Sequence, residues 1–184
     1  MLAGWHFLFG TIVGAVVLAT AGLPLAGLVV WVLARRRGAV RTALAEVGIV
    51  YGTVPWLWMI MLPGRRAGVN LVPLRDLAIV VAAGPVTATV QIVGNLLVFA
   101  ALGFFAPIRF AALASVPRIL ALGAAGSALV EVAQYVLRLD RVSSVDDVLL
   151  NAAGAGLAAL ASRRWWCAEP VLPEVPGERD ALLP

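Results

Sequence analysis

The chain contains no lysine, one histidine and one cysteine, and little charge of either sign. A lone cysteine excludes an internal disulfide and a thiolate metal cluster, so Cys167 is read as an incidental thiol beside Trp165 and Trp166. His6 has no second imidazole to complete a metal site and is read as an interfacial side chain. Charged residues make up 13%, about half the ~25% usual in soluble domains. What fills the chain instead is 62% hydrophobic residues, with a mean hydropathy of +0.98. A soluble globular domain is excluded, and the fold class expected is an all-α integral membrane protein.

The net charge of +4 and pI near 10.5 would raise nucleic acid as a partner in a soluble chain. Here the basic residues stand in the connections between apolar runs, with no basic face carrying interleaved aromatics. They are read as setting topology and touching anionic lipid. Membrane lipids are the partners expected, nucleic acid is not, and nothing fixes the oligomeric state.

The apolar runs predict a bundle of about five transmembrane helices with an additional short apolar segment before the third. Residues 7–33 and 43–62 each meet the ~20 residues needed to cross a bilayer, with Pro24 and Pro55 as sites of bending. Residues 77–83 are too few to span. Pro85 then suits the first position of a third helix running to about Phe105. Residues 119–137 and 145–161 supply the fourth and fifth. Residues 1–167 are read as one domain, and 168–184, rich in proline and acids, as a disordered cytoplasmic tail.

Alternating the helices places Arg35, Arg36, Arg37, Arg41, Arg109, Arg118, Arg163, Arg164 and Arg179 at one end. Arg65, Arg66, Arg75, Arg138 and Arg141 fall at the other. By the positive-inside rule the first end is cytoplasmic, which puts the N-terminus outside.

Residues 131–151 hold four of the ten carboxylates, between two apolar segments. On a helix, Glu131, Gln134, Tyr135 and Arg138 fall within roughly a third of the circumference, a face that avoids lipid. Ser144 and Asp147 form an S-x-x-D capping pattern at the next helix start, and Asp147 and Asn151 share a face. Thr87, Gln91 and Asn95 make a third stripe, serving either helix packing or ligand contact. These stripes are expected to meet in an outward-facing polar pocket. A carboxylate two turns below a helix end is normally functional, so Glu131 is the leading candidate; pairing with Arg138 is its structural alternative. Asp146 and Asp147 have a structural alternative too, because the helix dipole stabilises acids in a first turn. Glu131, Asp146 and Asp147 offer oxygens to a hard cation, but Arg138 and Arg141 would repel it. Neither a metal nor a cofactor is expected.

The series E-x-x-Q-x-x-x-R (Glu131 to Arg138) and S-x-x-D-D-x-x-x-N-x-x-G (Ser143 to Gly154) resembles the second half of the VanZ-like membrane family. Residues 95–104, N-L-L-V-F-A-A-L-G-F, resemble that family's N-x-x-x-F-x-P-x-G-F element, with Ala101 where the proline stands. Residues 70–74, N-L-V-P-L, resemble its N-L-I-P-F loop. Some members of that family are associated with resistance to teicoplanin-type glycopeptides. The resemblance implies a multi-pass membrane protein that binds an amphiphile, a lipid-linked envelope precursor or a glycopeptide-type antibiotic. The candidate ligand residues are Asn70, Gln91, Asn95, Glu131, Gln134, Arg138, Asp146, Asp147 and Asn151. The alternative is a small membrane enzyme using Glu131 and Asp147 as acid and base on a lipid-linked substrate. No nucleophile with an adjacent base can be assembled to support it.

Overall fold

The structure, a computed structural model, describes residues 2–64 and 66–166, without the side chains of residues 2–12, 15 and 18. The His6 side chain, Cys167 and the tail lie outside that description. The chain order is α1 (Leu2–Arg37), α2 (Val40–Ile60), β1 (Gly68–Asn70), α3 (Arg75–Ala82), α4 (Pro85–Val98), α5 (Ala100–Arg109), α6 (Val116–Val136), β2 (Val142–Ser144) and α7 (Val145–Ser162). Short 3-10 turns follow α5 and α7. Five spans are long and apolar enough to cross a membrane: α1, α2, α4 with α5, α6, and α7.

The fifth span is the centre of the bundle. α7 packs against α4, α5 and α6, while α2 packs on α5 and α1 on α2. In a bilayer no hydrophobic force drives helices together, so association rests on close packing, and small residues set the distances. Gly154 faces the backbone of Leu96 on α4, Gly103 of α5 faces the backbone of Ala155, and Gly123 of α6 meets Ala152 and Ala155. Between these crossings Ala155 and Ala159 are fully buried, with Val98, Phe99, Ala106 and Ile119 completing the core. α1 is bound more lightly: the Tyr51 hydroxyl of α2 donates to the Ala19 carbonyl and its ring lies against Gly22.

Pro24 and Pro55 lie inside helices that continue past them. Two local features go beyond the sequence expectation. The third span is divided at Phe99 (φ −111°, ψ 11°), so the break forms with Ala101 where the family element has proline. Most important, the α6–α7 connection is not a free polar loop. β2 pairs in parallel with β1, Gly68 opposite Val142 and Asn70 opposite Ser144. Amides of Gly64, Arg66 and Gly68 extend the ladder by donating to the carbonyls of Leu139, Asp140 and Arg141, at 2.7, 2.9 and 3.3 Å. Three-residue strands 74 residues apart carry no readable alternation, which is why sequence patterning misses them.

At the opposite, arginine-rich end, Glu46 of α2 pairs with Arg37 of α1 at 2.6 Å and with Arg109 of α5 at 2.7 Å. One carboxylate thereby ties three helices.

Candidate functional site

The polar cluster forms where α6, α7, α3 and α4 meet the β1–β2 ladder. Ser144, partner of Asn70 in that ladder, is extended (φ −129°, ψ 137°) and caps α7: its Oγ accepts the Asp146 amide at 3.2 Å. A capping box within the sequence would have Asp147 reach back to the Ser144 amide. Instead that amide donates to Glu131 Oε2 at 3.2 Å, so the reciprocal carboxylate comes from α6. The Ser143 hydroxyl donates to the Glu131 carbonyl at 3.3 Å, holding the same joint. Asp147 is engaged elsewhere, its Oδ1 accepting from Asn95 Nδ2 of α4 at 2.7 Å. The capping-box role expected for Asp147 is thus corrected: Glu131 performs it, because Asn95 draws Asp147 toward α4.

Asp146 is 3% exposed and has a different task. Its Oδ1 accepts the Leu74 amide at 2.5 Å and its Oδ2 the Leu77 amide at 3.0 Å. These amides open α3, whose own N-cap, Leu74, is left-handed (φ 65°) and supplies no side-chain acceptor. A helix N-terminus presents amides without intrahelical partners and a partial positive charge; a carboxylate from α7 meets both. The short α3 is thereby docked on the start of the last span.

Two candidates lie at helix crossings. Asn151 Nδ2 donates to Ser127 Oγ at 2.7 Å between α7 and α6, both residues buried. Gln134 Nε2 donates to the Ile60 carbonyl at 2.9 Å, closing the last turn of α2 against α6. Asn70 accepts the Val72 amide at 3.1 Å, shaping the turn before α3. Asn70 Nδ2 and Asn151 Oδ1 are buried and without a hydrogen-bond partner among the described residues.

The structure therefore brings together Asn70, Asn95, Glu131, Asp146 and Asp147, with Gln134 and Asn151 on adjoining crossings. Gln91 is exposed, one turn from Asn95, and takes no part. Arg138 is exposed on the far side of the α6 turn and does not pair with Glu131. Arg141, not counted among the candidates, lies within electrostatic reach of both Glu131 and Asp147, and those two carboxylates within reach of each other. Its guanidinium also donates to the Leu62 carbonyl at 3.2 Å. Ser144 caps α7 as its position predicts, whereas Ser127 was not among the candidates; a serine four residues before Glu131 in an apolar helix is the signal that marks it.

At the same end an open cleft of about 580 Å³ runs between the end of α6 and β1, lined by Gln134, Tyr135, Arg138, Asp140 and Arg141 with Gly68 and Val69. It shares only Gln134 and Arg138 with the candidate set.

The geometry joins the three stretches that carry the family resemblance, residues 70–74, 95–104 and 131–154, in one cluster. The family model described as VanZ/LLP1 matches residues 49–166, which include all three. The chain belongs to the VanZ/LLP1 family. The match covers α2 from Ile49 through α7 and leaves out α1, the helix that packs on α2. No curated protein and no solved structure matches the chain. As a VanZ-like protein with five apolar spans it is a multi-pass membrane protein, and glycopeptide resistance is an association of the family.

Proposed function

We propose that this VanZ-like protein is a non-catalytic membrane protein that binds an envelope amphiphile at the β1–β2 end of the bundle. The observation that carries the reading is the open cleft beside the ladder, where two arginines stand next to an exposed apolar helix end. Lipid-linked envelope precursors and glycopeptide-type antibiotics both combine polar and apolar parts and suit such a site. The enzyme reading has less support, because Glu131 and Asp147 each accept a hydrogen bond from within the protein, from the Ser144 amide and from Asn95. The carboxylate cluster acts as the frame that holds α3, the ladder and the end of α6 in place around the cleft. Thermal melting in neutral detergent tests the reading. Extracted envelope lipids are expected to raise the melting temperature of the full chain by several degrees, and no shift with any envelope fraction would sink it.

The orientation belongs to the same proposal: the ladder end faces outward, the N-terminus is outside and the C-terminus cytoplasmic, in the cell membrane. The arginines at the other end carry this through the positive-inside rule. A cysteine placed at Gly38, in a Cys167→Ser background, is expected to stay unlabelled by an impermeant reagent applied to intact cells. Labelling without permeabilisation would reverse the orientation.

A further inference from the structure

We propose that the cleft holds the phosphate of an anionic lipid headgroup, with Arg138 as its main ligand; this rests on the amphiphile-binding reading and names its chemistry. The argument starts from the backbone. α6 ends in a Schellman arrangement: the Leu139 amide donates to the Gln134 carbonyl and the Arg138 amide to the Tyr135 carbonyl, each at 3.1 Å. The residue after the C-cap of such an ending takes left-handed backbone angles and is usually glycine. Here it is Arg138, at φ 52°, with Asp140 following at φ 49°. A side chain with a Cβ is strained there, and strain of this kind is kept where a function uses the side chain.

Nothing among the described residues uses it. Among the described residues Arg138 makes no side-chain hydrogen bond and no ion pair. The other charges around the cleft sharpen the point. Arg141 donates to the Leu62 carbonyl and lies within electrostatic reach of Glu131 and Asp147, so it positions the turn and leaves Arg138 as the uncommitted cation among the described residues of the lining. Asp140 is the one acid on the lining, and Arg66, whose amide donates to the Asp140 carbonyl, is an exposed cation on the neighbouring segment. The balance favours an anion, and a guanidinium matches phosphate oxygens two at a time.

The apolar rim selects a lipid as the source of that phosphate. Tyr135, Val136 and Leu137 are 68%, 67% and 59% exposed on the last turn of α6, directly beside Arg138. This turn lies at the end of a membrane span, where acyl chains meet headgroups and where an aromatic side chain with a polar tip is favoured.

The test uses native mass spectrometry of the full chain in neutral detergent, offered phosphatidylglycerol, diacylglycerol of the same acyl chains, or inorganic phosphate. Parent protein is expected to retain phosphatidylglycerol at least tenfold over diacylglycerol, and to hold inorganic phosphate far more weakly. Arg138→Gly restores the residue preferred at that backbone position, so it is expected to melt at or above the parent temperature while losing phosphatidylglycerol at least tenfold. Equal retention by Arg138→Gly and parent overturns the proposal, and so does free phosphate bound as well as the lipid. Equal retention of phosphatidylglycerol and diacylglycerol overturns the phosphate assignment but leaves amphiphile binding standing. Retention of neither removes both.

Discussion

Asp146→Ala is expected to destabilise the protein by about 3 kcal/mol, more than any other single change in the polar cluster. Hydrogen bonds to a charged partner contribute roughly 1.5–3 kcal/mol each, and the carboxylate accepts two, from the Leu74 and Leu77 amides. Alanine leaves both amides without their acceptor at a part-buried joint and removes the negative charge from the start of α3. Asp146→Asn keeps one acceptor oxygen but turns an amide donor toward the second amide, so about half the loss remains. The expected signature is local as well as global. Hydrogen exchange should quicken at the α3 amides before it quickens in α7. If Asp146→Ala melted with the parent, the docking of α3 through this carboxylate would be wrong.

The second large effect is expected at the crossings of α7. A methyl group added at Gly154 would run into the Leu96 backbone, and one added at Gly103 into the Ala155 backbone. Overpacking costs typically 1–3 kcal/mol even where neighbours are side chains. A backbone neighbour cannot rotate aside, so Gly154→Ala and Gly103→Ala are each expected to cost about 3 kcal/mol or more by forcing the helices apart. Gly156→Ala meets the end of the Leu120 side chain, which can turn away, and is expected to cost about 1 kcal/mol. Gly27→Ala meets nothing and gains helix propensity, so it is expected to be neutral or mildly stabilising. Thermal melting of the four variants in one detergent gives the ranking. A Gly154→Ala variant as stable as Gly27→Ala would contradict the close approach of α4 and α7.

The membrane class and the number of spans were legible because the bilayer imposes one requirement on every crossing segment: some twenty residues without unpaired polarity. That requirement is met by composition along the chain, so runs of apolar residues and the arginines between them carry it locally. The short segment before the third span was legible for the same reason, being apolar and too short. The polar stripes also declared themselves, since Glu131, Asn95, Asp147 and Asn151 have to avoid lipid and therefore face other helices.

Which of those residues would find which partner was decided by tertiary structure. Asp146 and Asp147 are adjacent and alike in sequence, yet helical geometry turns them about 100° apart, so one faces the amides of α3 and the other Asn95 of α4. Glu131 completes the cap of α7 from another helix, a role no spacing rule along one helix can anticipate. The β1–β2 pairing joins two connections whose short strands have no period to read, and it exists because α2, α6 and α7 deliver those connections to the same end of the bundle. Arg138 and Glu131 share a face on an ideal helix, but α6 ends at Val136 and its left-handed turn carries Arg138 away into the cleft. The sequence by itself determined a five-span membrane bundle with its polarity gathered near one end, because hydropathy acts residue by residue. Only the folded chain decided that most of that polarity is bound within the protein and that the arginine is left facing outward, because hydrogen-bond partners are assigned by the positions of whole helices.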